Sequence, residues 1–147
     1  MTTLHNILHT HTQTKYATDT GTKIHTQLRH IVIGDNKTSG TPEIIRKITQ
    51  NPQIAAFFTP DSKTEVPIAG TINNRFISRR IDRLLINNTT KTISILDYKS
   101  DTTPDTFRNK YIAQIREYAA LLHAVYPEHK ITGHILWTHD FSLEQIF

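Results

Sequence analysis

Two carboxylates and an amine stand out by type and spacing. Asp82 sits in the run Ile81-Asp82-Arg83-Leu84, and fifteen residues after it comes Asp97-Tyr98-Lys99. Side chains alternate along a strand, so Asp97 and Lys99 point to one face about 6 to 7 Å apart and Tyr98 points to the other. Residues 75–86 and 92–98 are rich in β-branched types, and Asn87-Asn88-Thr89-Thr90 between them suits a hairpin loop. Asp82 and Asp97 are equally far from a turn centred near residues 89 and 90, which makes them near neighbours across the pair. Adjacent carboxylates repel, and a divalent cation or a shared proton resolves the conflict. Mg²⁺ takes oxygen ligands and keeps several waters, so one or two carboxylates plus a substrate phosphate commonly hold it. Lys99 beside it could hold a phosphate oxygen, or orient and deprotonate a water. A D-x-K triplet by itself is also the pattern of a solvent-facing ion pair of little energetic worth.

The composition excludes more than it assigns. With no cysteine among 147 residues there is no disulfide, thiol nucleophile, zinc-thiolate site or iron-sulfur cluster. Five glycines leave no glycine-rich phosphate loop. No apolar run approaches the roughly 18 residues that span a bilayer, and the start, MTTLHNILHTHT, lacks a signal-peptide pattern, so a cytoplasmic, non-membrane protein is expected. A net charge of +4 is compatible with a polyanionic partner. Of the nine histidines, His5, His9, His11, His129 and His139 lie in polar or turn-like surroundings and read as solvated.

The elements that position the three residues follow from periodicity and caps. Residues 1–17 read as a poorly ordered arm and 18–147 as one domain. A helix capped by Asp19 or Thr20 carries Ile24, Leu28, Ile31 and Val32 on one face, with His25 beside them, until Gly34 and the polar DNKTSG stop it. Thr41-Pro42-Glu43 starts a short helix through Ile44, Ile45 and Ile48. Strands are expected at 54–58 and 65–72, a meander over 75–98, and a final strand at 131–137. Between the last two, a long helix begins at Thr103-Pro104-Asp105 and ends before Pro127, with Tyr111, Ile115, Tyr118, Ala119, Leu122 and Val125 on one face. The order of elements is that of an α/β domain.

The run IDRLLINNTTKTISILDYKS resembles the signature of the nuclease module of AddA/RecB-type helicase-nucleases, in the PD-(D/E)XK superfamily. Residues 111–118, YIAQIREY, are similar to that family's Y-x-x-Q-x-x-x-Y helix, and residues 21–28, GTKIHTQL, to its early G-x-x-x-H-x-x-L helix. The resemblance covers about residues 19 to 140. It implies a restriction-endonuclease-like fold, a mixed sheet flanked by helices, and a Mg²⁺- or Mn²⁺-dependent deoxyribonuclease of exonuclease type acting in double-strand break repair or recombination with a helicase partner.

By that resemblance His25, Asp82 and Asp97 are metal ligands, the Tyr98 carbonyl adds another, and Asp82, Asp97 and Lys99 are catalytic. Tyr111, Gln114 and Tyr118 would approach DNA or brace the site; Tyr118 is equally a core residue by its place on the apolar face. Glu65, in EVPIAG, resembles an auxiliary acidic position. The family's glycine three residues before the strand aspartate is Arg79 here, which would crowd the site or contact a phosphate, and its D-Y-K-T becomes D-Y-K-S at Ser100. The four-cysteine iron-sulfur staple of some relatives is absent, as is the helicase that precedes the module in that family. A non-catalytic DNA-binding or docking remnant and a stand-alone endonuclease are the alternatives.

Overall fold

The β-branched runs between residues 63 and 99 form a meander in the computed structural model, which describes residues 23–34, 40–102 and 104–147. Strands β1 (Lys63–Ile72) and β2 (Arg75–Asn87) are antiparallel. They join through Asn73 and Asn74, whose φ angles of 51° and 61° are the left-handed pair that a two-residue hairpin turn requires. Strand β3 (Thr92–Lys99) returns antiparallel to β2, with Asn87 opposite Thr92 and Arg83 opposite Leu96. Helix α4 (Arg108–Val125) then crosses to β4 (Lys130–Trp137), which runs parallel to β3 because a helical crossover restores the strand direction. Strand β5 (Ser142–Gln145) pairs antiparallel with β4, giving a five-stranded mixed sheet in the order β1-β2-β3-β4-β5.

Helices cover both faces. On one lie α1 (residues 23–29), α2 (Pro42–Thr49), α3 (Pro52–Ala55) and the 3-10 turn Ala56–Phe58. Their Leu28, Ile48, Ile54 and Phe58 pack on Leu96, Tyr98 and Leu136. On the other face α4 sets Ile115, Tyr118 and Leu122 against Ile81, Ile93, Ile95, Ile135 and Trp137. A Cβ at Gly70 would lie 2.8 Å from Leu121, so glycine permits the close approach of α4 to β1.

One polar side chain ties the first layer to the sheet. Arg83 is 1% exposed. Its Nη2 donates to the carbonyls of Leu28 (3.0 Å) and Ile31 (2.6 Å), where α1 ends. Its Nη1 donates to the Phe57 carbonyl (3.0 Å) and Ser62 Oγ (2.7 Å), and Nε to the Tyr98 hydroxyl (2.9 Å). The guanidinium also lies 4.1 Å from the centre of the Phe58 ring. A helix C-terminus is the negative end of its dipole, so the cation is matched by oriented carbonyls.

Several expectations are corrected. Residues 54–58 are helical, because Asn51 Oδ1 accepts from the N–H groups of Gln53 and Ile54 and Pro52 supplies the first helical φ. Helix α1 ends by residue 29, leaving Ile31 and Val32 beyond it, since the Ile33 N–H bonds the Phe58 carbonyl and draws the chain out. Val125 is exposed at the last turn of α4, whereas Leu121 is buried. Leu143 lies in β5. The expected arm at 1–17, the cap at Asp19 or Thr20, Gly21 and Thr22 of the early motif and most of DNKTSG lie outside the described residues. No described helix is long and apolar enough to cross a membrane.

Replacing Arg83 by lysine keeps the charge but cannot reach the five acceptors. Arg83→Lys is expected to lower the unfolding free energy by about 2–4 kcal/mol in urea denaturation followed by Trp137 fluorescence. A loss below about 0.5 kcal/mol would show that these carbonyls are satisfied without it.

Candidate active site

The register brings Asp82 and Asp97 together. The β2–β3 ladder ends at Arg83 and Leu96, so Asp82 and Asp97 are the residues that follow its last pair, close enough for the charge of Asp82 to act on Asp97. The regular pleat breaks at this point. Ile81 and Leu84 belong to the same α4-facing cluster although they are three residues apart. Glu65, which falls opposite Asp82 between the pairs Thr64↔Arg83 and Val66↔Ile81, adopts φ 52°, a left-handed conformation uncommon outside glycine. Irregularities of this kind re-aim a side chain. Asp82 reaches across to β3, where its Oδ2 accepts from the Tyr98 N–H at 2.9 Å and lies 3.4 Å from His25 Nε2 of α1. The N–H and C=O of one strand residue share an edge, so the Tyr98 carbonyl also faces the Asp82 side.

On the α4 side of β3, Asp97 and Lys99 share a face as the alternation requires. Lys99 Nζ lies 2.8 Å from Asp97 Oδ2 and donates to Gln114 Oε1 at 3.1 Å. Gln114 Nε2 donates in turn to the Tyr118 hydroxyl at 2.8 Å, a contact open to residues four apart on one helix. The ammonium also lies 4.4 Å from the centre of the Tyr111 ring, and the Tyr111 hydroxyl donates to Asp101. Tyr98 points the other way, its ring 5.4 Å from that of His25. Residues from α1, β2, β3 and α4 therefore meet at one end of the central strands.

Burial raises the electrostatic stakes. Asp97 is 3% exposed, and burial first, then the Asp82 charge, push its carboxyl up to about 6, against the opposing pull of Lys99 and His25. Burial and the charges of Asp97 and Asp82 push the Tyr118 hydroxyl up as well. Tyr98 and Tyr111 are raised by burial too, with Asp101 adding to the effect at Tyr111.

The donor set suits a hard cation. Asp97 Oδ2 is buried, with the Lys99 ammonium 2.8 Å away as its ion-pair partner. As they stand, no three His, Asp or Glu side chains among the described residues converge closely enough to enclose an ion. Mg²⁺ or Mn²⁺ needs fewer, since such ions keep waters and take one or two carboxylates. Asp82 and Asp97 would supply these, with His25 Nε2 and the Tyr98 carbonyl at their margin. Glu65 holds the third acidic position across the strands, but its Oε2 turns to Arg80 at 3.6 Å. Arg79 neither crowds the carboxylates nor stands free, because its Nε pairs with Glu117 Oε1 of α4 at 2.9 Å. Sequence reasoning assigned no role to Arg83, which fixes the end of α1 and with it His25; its signal was a cation flanked by Ile81, Leu84 and Leu85.

A carboxyl whose folded pKa lies above its ordinary value favours the folded state at low pH, and that contribution is lost as pH rises through the folded value. Without divalent cation, the stability advantage of Asp97→Asn over the unmodified protein should therefore grow between pH 4 and pH 7, by on the order of 2–3 kcal/mol for a carboxyl raised to about 6. Parallel stability profiles of the two proteins would contradict the burial of this charge. No family model matches the chain, and no curated protein matches its sequence.

Proposed function

We propose that the protein is a Mg²⁺- or Mn²⁺-dependent deoxyribonuclease with a restriction-endonuclease-like PD-(D/E)XK core, similar to the nuclease module of AddA/RecB-type helicase-nucleases. The observation that carries this reading is the placement of Lys99 Nζ between buried Asp97 and Gln114, on the strand beside Asp82 and His25. A bound divalent cation lowers the pKa of water and offsets charge on the leaving oxygen in phosphodiester hydrolysis. Asp82 and Asp97 would hold the cation, with His25 Nε2 and the Tyr98 carbonyl as its further protein ligands, and Lys99 would orient the attacking water or a phosphate oxygen. Gln114 fixes the ammonium, while Tyr118 and Tyr111 brace Gln114 and cover Lys99.

The supporting logic is electrostatic. Asp97 in isolation is destabilised by its own burial and by Asp82, a conflict that a cation and a phosphate-facing lysine relieve. On this reading DNA is the substrate, a helicase chain or domain that feeds strands to the site is the expected partner, and the cytoplasm is the expected compartment.

The purified chain should degrade linear DNA with Mg²⁺ or Mn²⁺ and spare covalently closed circles. Asp97→Ala and Lys99→Ala should each slow cleavage by about a hundredfold or more, with Mn²⁺ binding kept in Lys99→Ala and lost in Asp97→Ala. Cleavage that persists in Asp97→Ala would contradict the site. Cutting of closed circles would favour a stand-alone endonuclease, and DNA binding without any cutting a docking module.

A further inference from the structure

Helix α4 covers only one face of the β1–β2 hairpin. Val66 and Ile68 of β1 and Ile81 of β2 belong to its cluster, Ile77 is buried, and Gly70 meets Leu121. The alternate residues face the opposite way. They form three cross-strand pairs, Pro67 with Arg80, Ala69 with Ser78 and Thr71 with Phe76, and all six are exposed. Among the described residues, the helices on that side of the sheet pack over Leu96, Tyr98 and Leu136 of β3 and β4 and not over these six.

The chemistry of the bare face is graded along its length. At the hairpin tip stands Phe76, 71% exposed. The floor is small: Ala69, Ser78 and Thr71 allow a flat molecule to lie close. At the other end Arg80 carries a guanidinium 3.6 Å from Glu65, whose strand position falls opposite Asp82. Phe76 and Arg80 are four residues apart, roughly 14 Å along a strand, which is about the rise of four stacked nucleotides. An aromatic face accepts any base, and a guanidinium matches a phosphate. Pro67 has no N–H and blunts the outer edge of β1 against an added strand, which disfavours a protein β-strand as the occupant.

We propose that this face is a track for single-stranded DNA leading to the candidate active site, with Phe76 stacking on a base at the far end and Arg80 holding a phosphate beside Asp82. The proposal rests on the nuclease reading and names the form of its substrate, an unpaired strand end.

Fluorescence anisotropy in EDTA tests it with the full chain, a labelled oligothymidine of roughly 16 nucleotides and an abasic oligomer of equal length. Phe76→Ala should weaken oligothymidine binding about tenfold and the abasic oligomer by less than about twofold, because only the former offers a base to stack. Arg80→Gln should weaken both and reduce the salt slope by about 0.7. Val125→Ala, a change at another exposed apolar residue, should alter neither. Oligothymidine binding by Phe76→Ala within about twofold of the unmodified protein would overturn the track, as would a dimer in sedimentation that Phe76→Ala dissociates. Cleavage by the unmodified protein together with an indifferent Phe76→Ala sinks the track alone. A Phe76-dependent strand affinity without metal-dependent cleavage supports the track and sinks the nuclease reading.

Discussion

Arg83 carries a buried positive charge whose five hydrogen bonds all end on neutral oxygens: three main-chain carbonyls and two hydroxyls. Such a group is costly unless its donors are met, and the five acceptors here come from four separate parts of the chain. The end of α1, the 3-10 turn at Phe57, Ser62 before β1 and Tyr98 of β3 are thereby held in fixed relation. Apolar contacts between helices and sheet would allow sliding by part of a turn. The guanidinium fork does not, because its donors are planar and directional. His25 lies on α1 one turn before Leu28, so the contact that fixes the end of that helix also sets His25 beside Asp82.

From that constraint the candidate site follows as a meeting of two layers. One wall comes from α1 and carries an imidazole; the other comes from α4 and carries Gln114 and Tyr118. Between them the sheet delivers two carboxylates and a lysine. Lys99 has its ammonium between an acid, an amide oxygen and an aromatic ring, so it is positioned before any ligand arrives. Preorganisation of this kind stores cost in the metal-free protein, where Asp97 is buried beside another carboxylate.

Much of this was legible in the sequence. The equal distances of Asp82 and Asp97 from a polar loop pointed to neighbours, as their electrostatic contact has it, and strand alternation separated Tyr98 from its neighbours. Gln114 and Tyr118 followed from helical spacing. Other features depend on context that a pattern of apolar residues does not carry. Residues 54–58 are apolar throughout and equally fit a strand; the deciding signal was Asn51-Pro52, the same grammar of cap and proline that was read correctly at Thr41-Pro42. Arg83 looked like one more strand arginine, because its role depends on carbonyls far away in sequence. Glu65 sits in a strand-like run, and neither its positive φ nor the shared cluster of Ile81 and Leu84 is visible in the alternation of residue types. Val125 has the periodicity of a core residue, but at the end of α4 it is Leu121, Leu122 and Tyr126 that meet the core and Val125 that is exposed.

In the proposed nuclease Asp82, Asp97 and His25 would be ligands of one cation, approached from both layers. Calorimetric titration of Mn²⁺ into the purified chain at neutral pH tests it most directly, with Asp82→Asn, His25→Ala and Arg83→Lys compared at a temperature where each is folded. The account predicts saturable binding that Asp82→Asn abolishes and that His25→Ala and Arg83→Lys each weaken, with the two weaker variants non-additive when combined because both act through α1. Equal Mn²⁺ affinity in the unmodified protein and Asp82→Asn, or full additivity of the His25 and Arg83 changes, would contradict it.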